Sequence, residues 1–318
     1  MDMLEKLSLA GLVPVIKVED ANDAVPLCKA LLDGGLPVAE ITFRTAAAED
    51  AIRLVHEQLP QVILGAGTVL TTEQVDRAVA AGAAYIVSPG LNPKVVEHCQ
   101  KINVPVLPGC ANPSDIEMAL SLGLKTVKFF PSESLGGLSM IKALSAPYGN
   151  VTFVPTGGIS EKNLVEYLSF PKVVACGGSW MVPQDAVDAK DWEKIKTITK
   201  SAVALLLGLE LAHIGINTGS PENAMSQAQL FCSLLGWDVK DGNSSVFVGT
   251  GLELMKKPFR GTHGHIAIRT NSIARAKWHL QQRGFTFDES SAIEKNGKVI
   301  AIYLEQEIAG FAIHLLQK

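Results

Sequence analysis

From residue 11 to about residue 178 the chain alternates between two hydrophobic patterns. Short runs rich in β-branched residues are followed by longer stretches in which Ala and Leu recur at helical spacing, the periodicities of strand and amphipathic helix. The strand-like runs are 12–18, 38–43, 62–66, 85–87, 104–107, 126–130, 152–155 and 173–176. Helical segments separate them, among them 20–32, 46–59, 72–80, 113–122 and 161–168. Capping chemistry marks their ends: Thr71 precedes Glu73, Ser160 precedes Glu161, and Gly34, Gly82 and Gly123 close helices. Alternating β and α units imply a parallel sheet. Eight of them in about 200 residues predict an α/β fold of the (β/α)8 TIM-barrel type. A doubly wound open sheet is the alternative, because strand order is not written locally in a sequence.

A helix over 191–207, closed by Gly208, ends this first domain, so the boundary is expected between 1–208 and 209–318. An internal repeat follows. His213-Ile214-Gly215-Ile216-Asn217-Thr218 recurs as His265-Ile266-Ala267-Ile268-Arg269-Thr270, each copy leading into a helix. Each helix then ends in a glycine and an aromatic strand, Gly236-Trp237 and Gly284-Phe285. Further strands are expected at 246–248 and 251–255 in one copy, and at 298–304 and 310–316 in the other. The second domain is therefore read as a smaller α+β unit of two βαβββ modules.

Composition narrows the function. Of 318 residues, 47% are hydrophobic and 19% charged, the balance of a well-packed globular protein. A net charge of −4 carries no basic excess, so nucleic acid is not expected as a partner. The five cysteines are odd in number, scattered and never spaced as CxxC, which excludes a disulfide framework and a zinc ribbon and fits a reducing, cytoplasmic compartment. The N-terminus lacks the pattern of a signal peptide, and the longest tempting apolar run, 202–207, is too short to span a bilayer, so no membrane partner is expected.

Candidate chemistry concentrates at the ends of the strands. Lys128 stands between Val127 and Phe129-Phe130. Most lysines are solvated, and Lys125 fits that description, but Lys128 has the neighbours of a buried amine, and burial frees a lone pair for Schiff-base chemistry. A nearby carboxylate would act in the opposite direction on that amine. In the second strand Glu40, Thr42 and Arg44 share one face. Glu40 and Arg44 either pair with each other or divide the work, Glu40 moving protons and Arg44 offering a fork to a substrate carboxylate. Thr68 follows the third strand, Ser88-Pro89-Gly90 the fourth, Thr156-Gly157-Gly158 the seventh and Gly177-Gly178-Ser179 the eighth. Paired glycines make tight turns, and after the last two strands of a barrel such turns also hold phosphate on backbone N–H groups. Together these parts describe a retro-aldol cleavage of a phosphorylated 2-keto acid.

The same residues carry a family resemblance. Glu40-Ile41-Thr42-Phe43-Arg44-Thr45, Gly65-Ala66-Gly67-Thr68-Val69, Ser88-Pro89-Gly90, Lys128-Phe129-Phe130-Pro131, Pro155-Thr156-Gly157-Gly158-Ile159 and Gly177-Gly178-Ser179-Trp180 resemble the bacterial 2-keto-3-deoxy-6-phosphogluconate / 4-hydroxy-2-oxoglutarate aldolases over about 4–200. The resemblance implies a metal-independent, homotrimeric class I aldolase. It makes Lys128 the Schiff-base residue and Glu40 the acid/base. Arg44, Thr68, Pro89 and Phe130 would line the carboxylate and keto end, with Thr156, Gly157, Gly158 and Ser179 around the phosphate. The products would be pyruvate with glyceraldehyde 3-phosphate, or with glyoxylate. One segment departs from the family: Pro108-Gly109-Cys110-Ala111-Asn112-Pro113 has Asn112 where threonine is usual. That leaves another 2-keto-3-deoxy acid, such as 2-dehydro-3-deoxy-6-phosphogalactonate, as an alternative substrate.

The repeat over 211–317 resembles the glyoxalase-like, vicinal-oxygen-chelate superfamily. Carried over by position, His213, Glu253, His265 and His314 would hold a divalent transition metal, with His314 standing where glutamate is commoner. The alternative is a degenerate module whose histidines are ordinary strand residues. A different class of function also remains open, in which the barrel only binds a phosphosugar and the second domain carries the chemistry.

Overall fold

The computed structural model describes residues 1–318, and the chain divides into two compact units, Met1–Leu206 and Leu207–Lys318. In the first unit the strands are β1 (Leu12–Ile16), β2 (Val38–Thr42), β3 (Ile63–Gly67), β4 (Tyr85–Val87), β5 (Val106–Leu107), β6 (Thr126–Phe129), β7 (Thr152–Pro155) and β8 (Cys176–Gly178). All their pairings are parallel, in the order β5-β4-β3-β2-β1-β8 with β6-β7 as a separate pair. Single bridges from Gly109 to Lys128, Phe153 to Val173 and Thr156 to Gly177 continue the ladder across the gaps. The result is a curled parallel α/β sheet with helices packed along it.

The packing follows from the residue pattern. In the helix Ala48–Gln58, Ala48, Ala51, Ile52 and Val55 are buried, the i, i+3, i+4, i+7 stripe of an amphipathic helix. They join Ala39 and Ile41 of β2 and Leu27 and Leu31 of the helix Ala24–Asp33 in one apolar cluster. The alternate β2 residues, Glu40 and Thr42, face the other way, and both are buried. Polar side chains inside the curl of a sheet need partners or a purpose.

Three expectations shift. The eighth strand lies at Cys176–Gly178 and not at 173–176, so Gly177 and Gly178 are strand residues and not a turn. A Cβ on Gly177 would come within 2.3 Å of Thr156 Oγ1, so this glycine serves the close approach of β7 and β8. The helix expected at 161–168 begins only at Leu164, because Asn163 folds back, accepting from Ser160 N and donating to the Gly158 carbonyl. Gly34 keeps helical backbone, and the left-handed step falls on Gly35.

The second unit is mostly sheet. Its strands are β9 (Glu210–Asn217), β10 (Val239–Asp241), β11 (Ser245–Val248), β12 (Leu252–Met255), β13 (Gly264–Thr270), β14 (Phe287–Lys295), β15 (Lys298–Ile308) and β16 (Phe311–Gln317). They form one sheet in the order β10-β11-β12-β9-β13-β16-β15-β14. The helix Pro221–Leu235, capped by Ser220, buries Ala224 and Ala228 against Val246, Val248 and Leu254. The aromatic strands after the two helices begin later than expected, at Val239 and Phe287. Gly236 is spent on a left-handed helix cap, and the first ladder pair is Val239 with Val248. No helix in the chain is long and apolar enough to cross a membrane.

Candidate active site and metal centre

Lys128 is fixed by its strand. Val127 and Phe129 are fully buried on one face, and Lys128, on the other, is only 6% exposed. Its backbone is held by the segment after β5, donating to the Pro108 carbonyl and accepting from Cys110 N. The ammonium lies 3.7 Å from Glu40 Oε1 and 5.2 Å from the centre of the Phe130 ring. Glu40 is 3% exposed, and its Oε1 accepts no hydrogen bond from the chain. A buried carboxylate oxygen without a donor costs on the order of 1–3 kcal/mol, so it is retained where it has work to do. Beneath it lies fully buried Tyr85, whose phenol is pushed well above its ordinary range by burial and by the Glu40 charge.

Arg44 does not pair with Glu40. Its Nε donates to Thr68 Oγ1 at 3.1 Å, while Thr42 is held by a bond to the Ile16 carbonyl. Thr68 adopts φ 57, a left-handed backbone that a β-branched residue rarely tolerates, and such strain clusters at functional sites.

A cleft of about 380 Å³ opens above the strand ends, within the size range of small-molecule sites. Six of the expected residues line it: Arg44, Phe130, Thr156, Gly157, Gly158 and Ser179. Lys128 and Glu40 are not among its lining residues, but Phe130, 5.2 Å from the Lys128 ammonium, and Thr42, two residues beyond Glu40 on β2, are. Thr68 joins through Arg44, and Pro89, at the end of β4, is not part of the lining. The sequence pattern does not single out Val15, Ile16, Lys17, Val182, Pro183 or Gln184, which also line it. Only Lys17 left a signal, since it shares strand parity with Val15, the register partner of Glu40.

The turn after β7 suits an anion. Gly157 and Gly158 have φ 96 and φ 81, two successive left-handed residues that only glycine adopts without strain. Their carbonyls are occupied, Gly157 O by Glu133 N and Gly158 O by the Asn163 side chain. The N–H groups of Gly158 and Ile159 have no acceptor within the chain, whereas the Thr156–Gly177 bridge turns the Gly157 N–H toward β8. Consecutive free amides of this kind form a phosphate cradle. Asn112 is engaged elsewhere, accepting from Asp115 N as the N-cap of the helix Pro113–Ser121. All five cysteines are free, and burial raises the Cys28 thiol to about 12, leaving it protonated.

In the second unit, register assembles four side chains on one face. Ala267 pairs with both His213 and His314, and Gly215 pairs with both His265 and Glu253. The adjacent strands β12, β9, β13 and β16 thus each present one donor. Glu253 Oε2 lies 3.2 Å from His213 Nε2 and 3.1 Å from His265 Nε2, and the two imidazole nitrogens are 3.1 Å apart. The ligand atoms of the three histidines all fall within 4.8 Å of one another. A Cβ at Gly215 would lie 2.0 Å from the His265 ring, so glycine leaves room for it. Although burial alone would raise it, Glu253 is held far below the ordinary carboxylate range by His213, His265 and Ser245. Burial first, then the neighbouring imidazoles, lowers His314 to about 3. Both ring nitrogens of His314 and Nδ1 of His265 are buried without partners. Donors about 2.1 Å from one ion stand roughly 3.4 Å apart, so the set could hold a transition metal.

Comparison with known proteins covers the first unit. The family described as "Aldolase: KDPG and KHG aldolase" matches residues 3–198. The 2-dehydro-3-deoxy-phosphogluconate aldolase of Treponema pallidum is 48% identical over 204 residues, 64% of this chain and 97% of that one. The KHG/KDPG aldolase of Escherichia coli is 41% identical over 62% of this chain and 92% of its own. Among solved structures, KDPG aldolase from Legionella pneumophila, holding pyruvate as a covalent carbinolamine intermediate, has a TM-score of 0.61 at 39% identity. It covers 63% of this chain and 98% of that one.

Proposed function

The chain belongs, through residues 3–198, to the KDPG and KHG aldolase family, and from that premise we propose the following chemistry for its first unit. It is a lyase that cleaves 2-dehydro-3-deoxy-6-phosphogluconate to pyruvate and glyceraldehyde 3-phosphate. 4-Hydroxy-2-oxoglutarate is cleaved in the same way, to pyruvate and glyoxylate. The Lys128 amine adds to the C2 ketone, giving a carbinolamine that loses water to an iminium. Glu40 takes the proton of the C4 hydroxyl, the C3–C4 bond breaks, and its electron pair moves into the iminium as an enamine. The aldehyde leaves, C3 is protonated, and water releases pyruvate and regenerates Lys128. Arg44, positioned by Thr68, takes the substrate carboxylate, and Phe130 and Pro89 border the keto end. Thr156, the turn at Gly157 and Gly158, and Ser179 take the phosphate.

The buried Lys128–Glu40 pair, 3.7 Å apart with an unpartnered carboxylate oxygen, carries this reading. Borohydride with pyruvate tests it. A stable adduct is expected on Lys128, and its absence, or its persistence in Lys128→Ala, would overturn the assignment.

Eight strands joined by the single bridges support reading the first unit as a (β/α)8 barrel of residues 1–208. We take residues 209–318 as a glyoxalase-like domain of two βαβββ modules. The repeated order β9-helix-β10-β11-β12 and β13-helix-β14-β15-β16 supports that reading. His213, Glu253, His265 and His314 would hold a divalent transition metal there, which would act as a Lewis acid. A homotrimer follows from the family resemblance, and a solution mass three times the 33.9 kDa of one chain is expected.

A further inference from the structure

Counter-charge is distributed unevenly in the cleft. The cradle at Gly157 and Gly158 offers neutral amides, and Ser179 offers a hydroxyl. A phosphate dianion bound only there keeps its full charge. Of the cleft-lining residues, only Arg44 and Lys17 are cations, and Arg44 is engaged by Thr68 and assigned to the opposite, carboxylate end.

Lys17 is placed by register. Val15 pairs with Glu40 and Ile16 with Ile41 across β1 and β2, so Lys17, two residues beyond Val15, projects from the same face as Glu40. On its other side β1 pairs with β8, Pro14 opposite Gly178, which brings the end of β1 beside Ser179. Lys17 thus enters the cleft between the carboxylate fork and the phosphate turns. Its partner in the chain is Glu19, 2.6 Å away, and both are well exposed, at 44% and 65%. An exposed pair of this kind contributes at most about 1 kcal/mol and exchanges readily for a stronger anion.

We propose that Lys17 is a specificity-determining residue whose ammonium leaves Glu19 to bind the anionic group at the far end of the substrate, phosphate or a second carboxylate. The proposal rests on the aldolase reading above, and it adds to the neutral cradle the charge that the cradle lacks. The measurement is the ratio of kcat/KM for 2-dehydro-3-deoxy-6-phosphogluconate to that for the same keto acid without its phosphate. In Lys17→Met, which keeps the apolar stem, the ratio should fall about tenfold, the loss expected for one charge-assisted contact in a partly exposed site. Lys17→Arg should restore most of it. A ratio unchanged in Lys17→Met would overturn the proposal, because any general damage to the fold lowers both substrates together. Pyruvate has no distal anion, so borohydride trapping on the unaltered protein separates the two ideas. Lack of an adduct there removes the aldolase reading and this inference with it. An adduct together with an unchanged ratio removes only the role of Lys17.

Discussion

Glu40 Oε1 is a buried acceptor with no donor, and the nearest cation stands at 3.7 Å, beyond hydrogen-bond reach. At that spacing the oxygen keeps its lone pairs free to accept from a substrate hydroxyl or a water beside the amine, which a tight ion pair would not. Glu40→Gln keeps the shape and removes the base. Turnover should fall about 100- to 10,000-fold, the usual contribution of a positioned acid/base. The Lys128 adduct with pyruvate should still form on long incubation, because the amine itself is untouched. Gly67 gives an independent check, since a methyl there would lie 2.2 Å from Glu40 Oε1. Gly67→Ala should therefore reproduce most of that loss in kcat while leaving the adduct. Equal loss of adduct and turnover in both variants would mean that Glu40 holds Lys128 in place and does not move the proton.

At the scale of elements, the departure at Asn112 is a change of helix cap. Asn112 precedes Pro113 at the first helical position and accepts from Asp115 N, a role that threonine also fills. Asn112→Thr should leave the preference between the gluconate and galactonate phosphates unchanged, measured as a ratio of kcat/KM. Asn112→Ala should cost about 1 kcal/mol, a lowering of roughly 2–4 °C in the midpoint of thermal unfolding. The strands were legible because burial on both sides writes continuous β-branched runs, and Lys128 and Glu40 stood out as polar interruptions of such runs. What was not legible came from contacts between distant segments. At β8, Gly177 approaches Thr156 so closely that a Cβ would clash, a contact no local pattern encodes. Likewise the cleft wall at Val182 and Gln184 is set by where the chain passes after β8. Periodicity gave the face of each strand but not which faces meet across the mouth.

In the whole molecule the aldolase unit shares its chain with a second unit, whose histidine cluster depends on registry over long separations. His213 and His314 are about a hundred residues apart in sequence, yet each pairs with Ala267. The repeat made the four strands visible; the ladder put their donors on one face. The case for a metal is the cost of the arrangement without one: three imidazoles and a carboxylate packed together, with His314 buried and both its nitrogens unpartnered. A bound ion would satisfy those atoms, so the intact chain of 318 residues loaded with zinc or manganese should retain about one ion per chain after gel filtration. His265→Ala should lose it, and thermal unfolding should shift upward with added metal in the unaltered chain only. Turnover of 2-dehydro-3-deoxy-6-phosphogluconate should be the same with metal, with chelator and in His265→Ala, because Schiff-base chemistry takes its electron sink from Lys128. Metal loss that lowers this turnover would tie the second unit to the aldol reaction. Metal that never binds would leave His213, His265 and His314 as a degenerate remnant of the repeat.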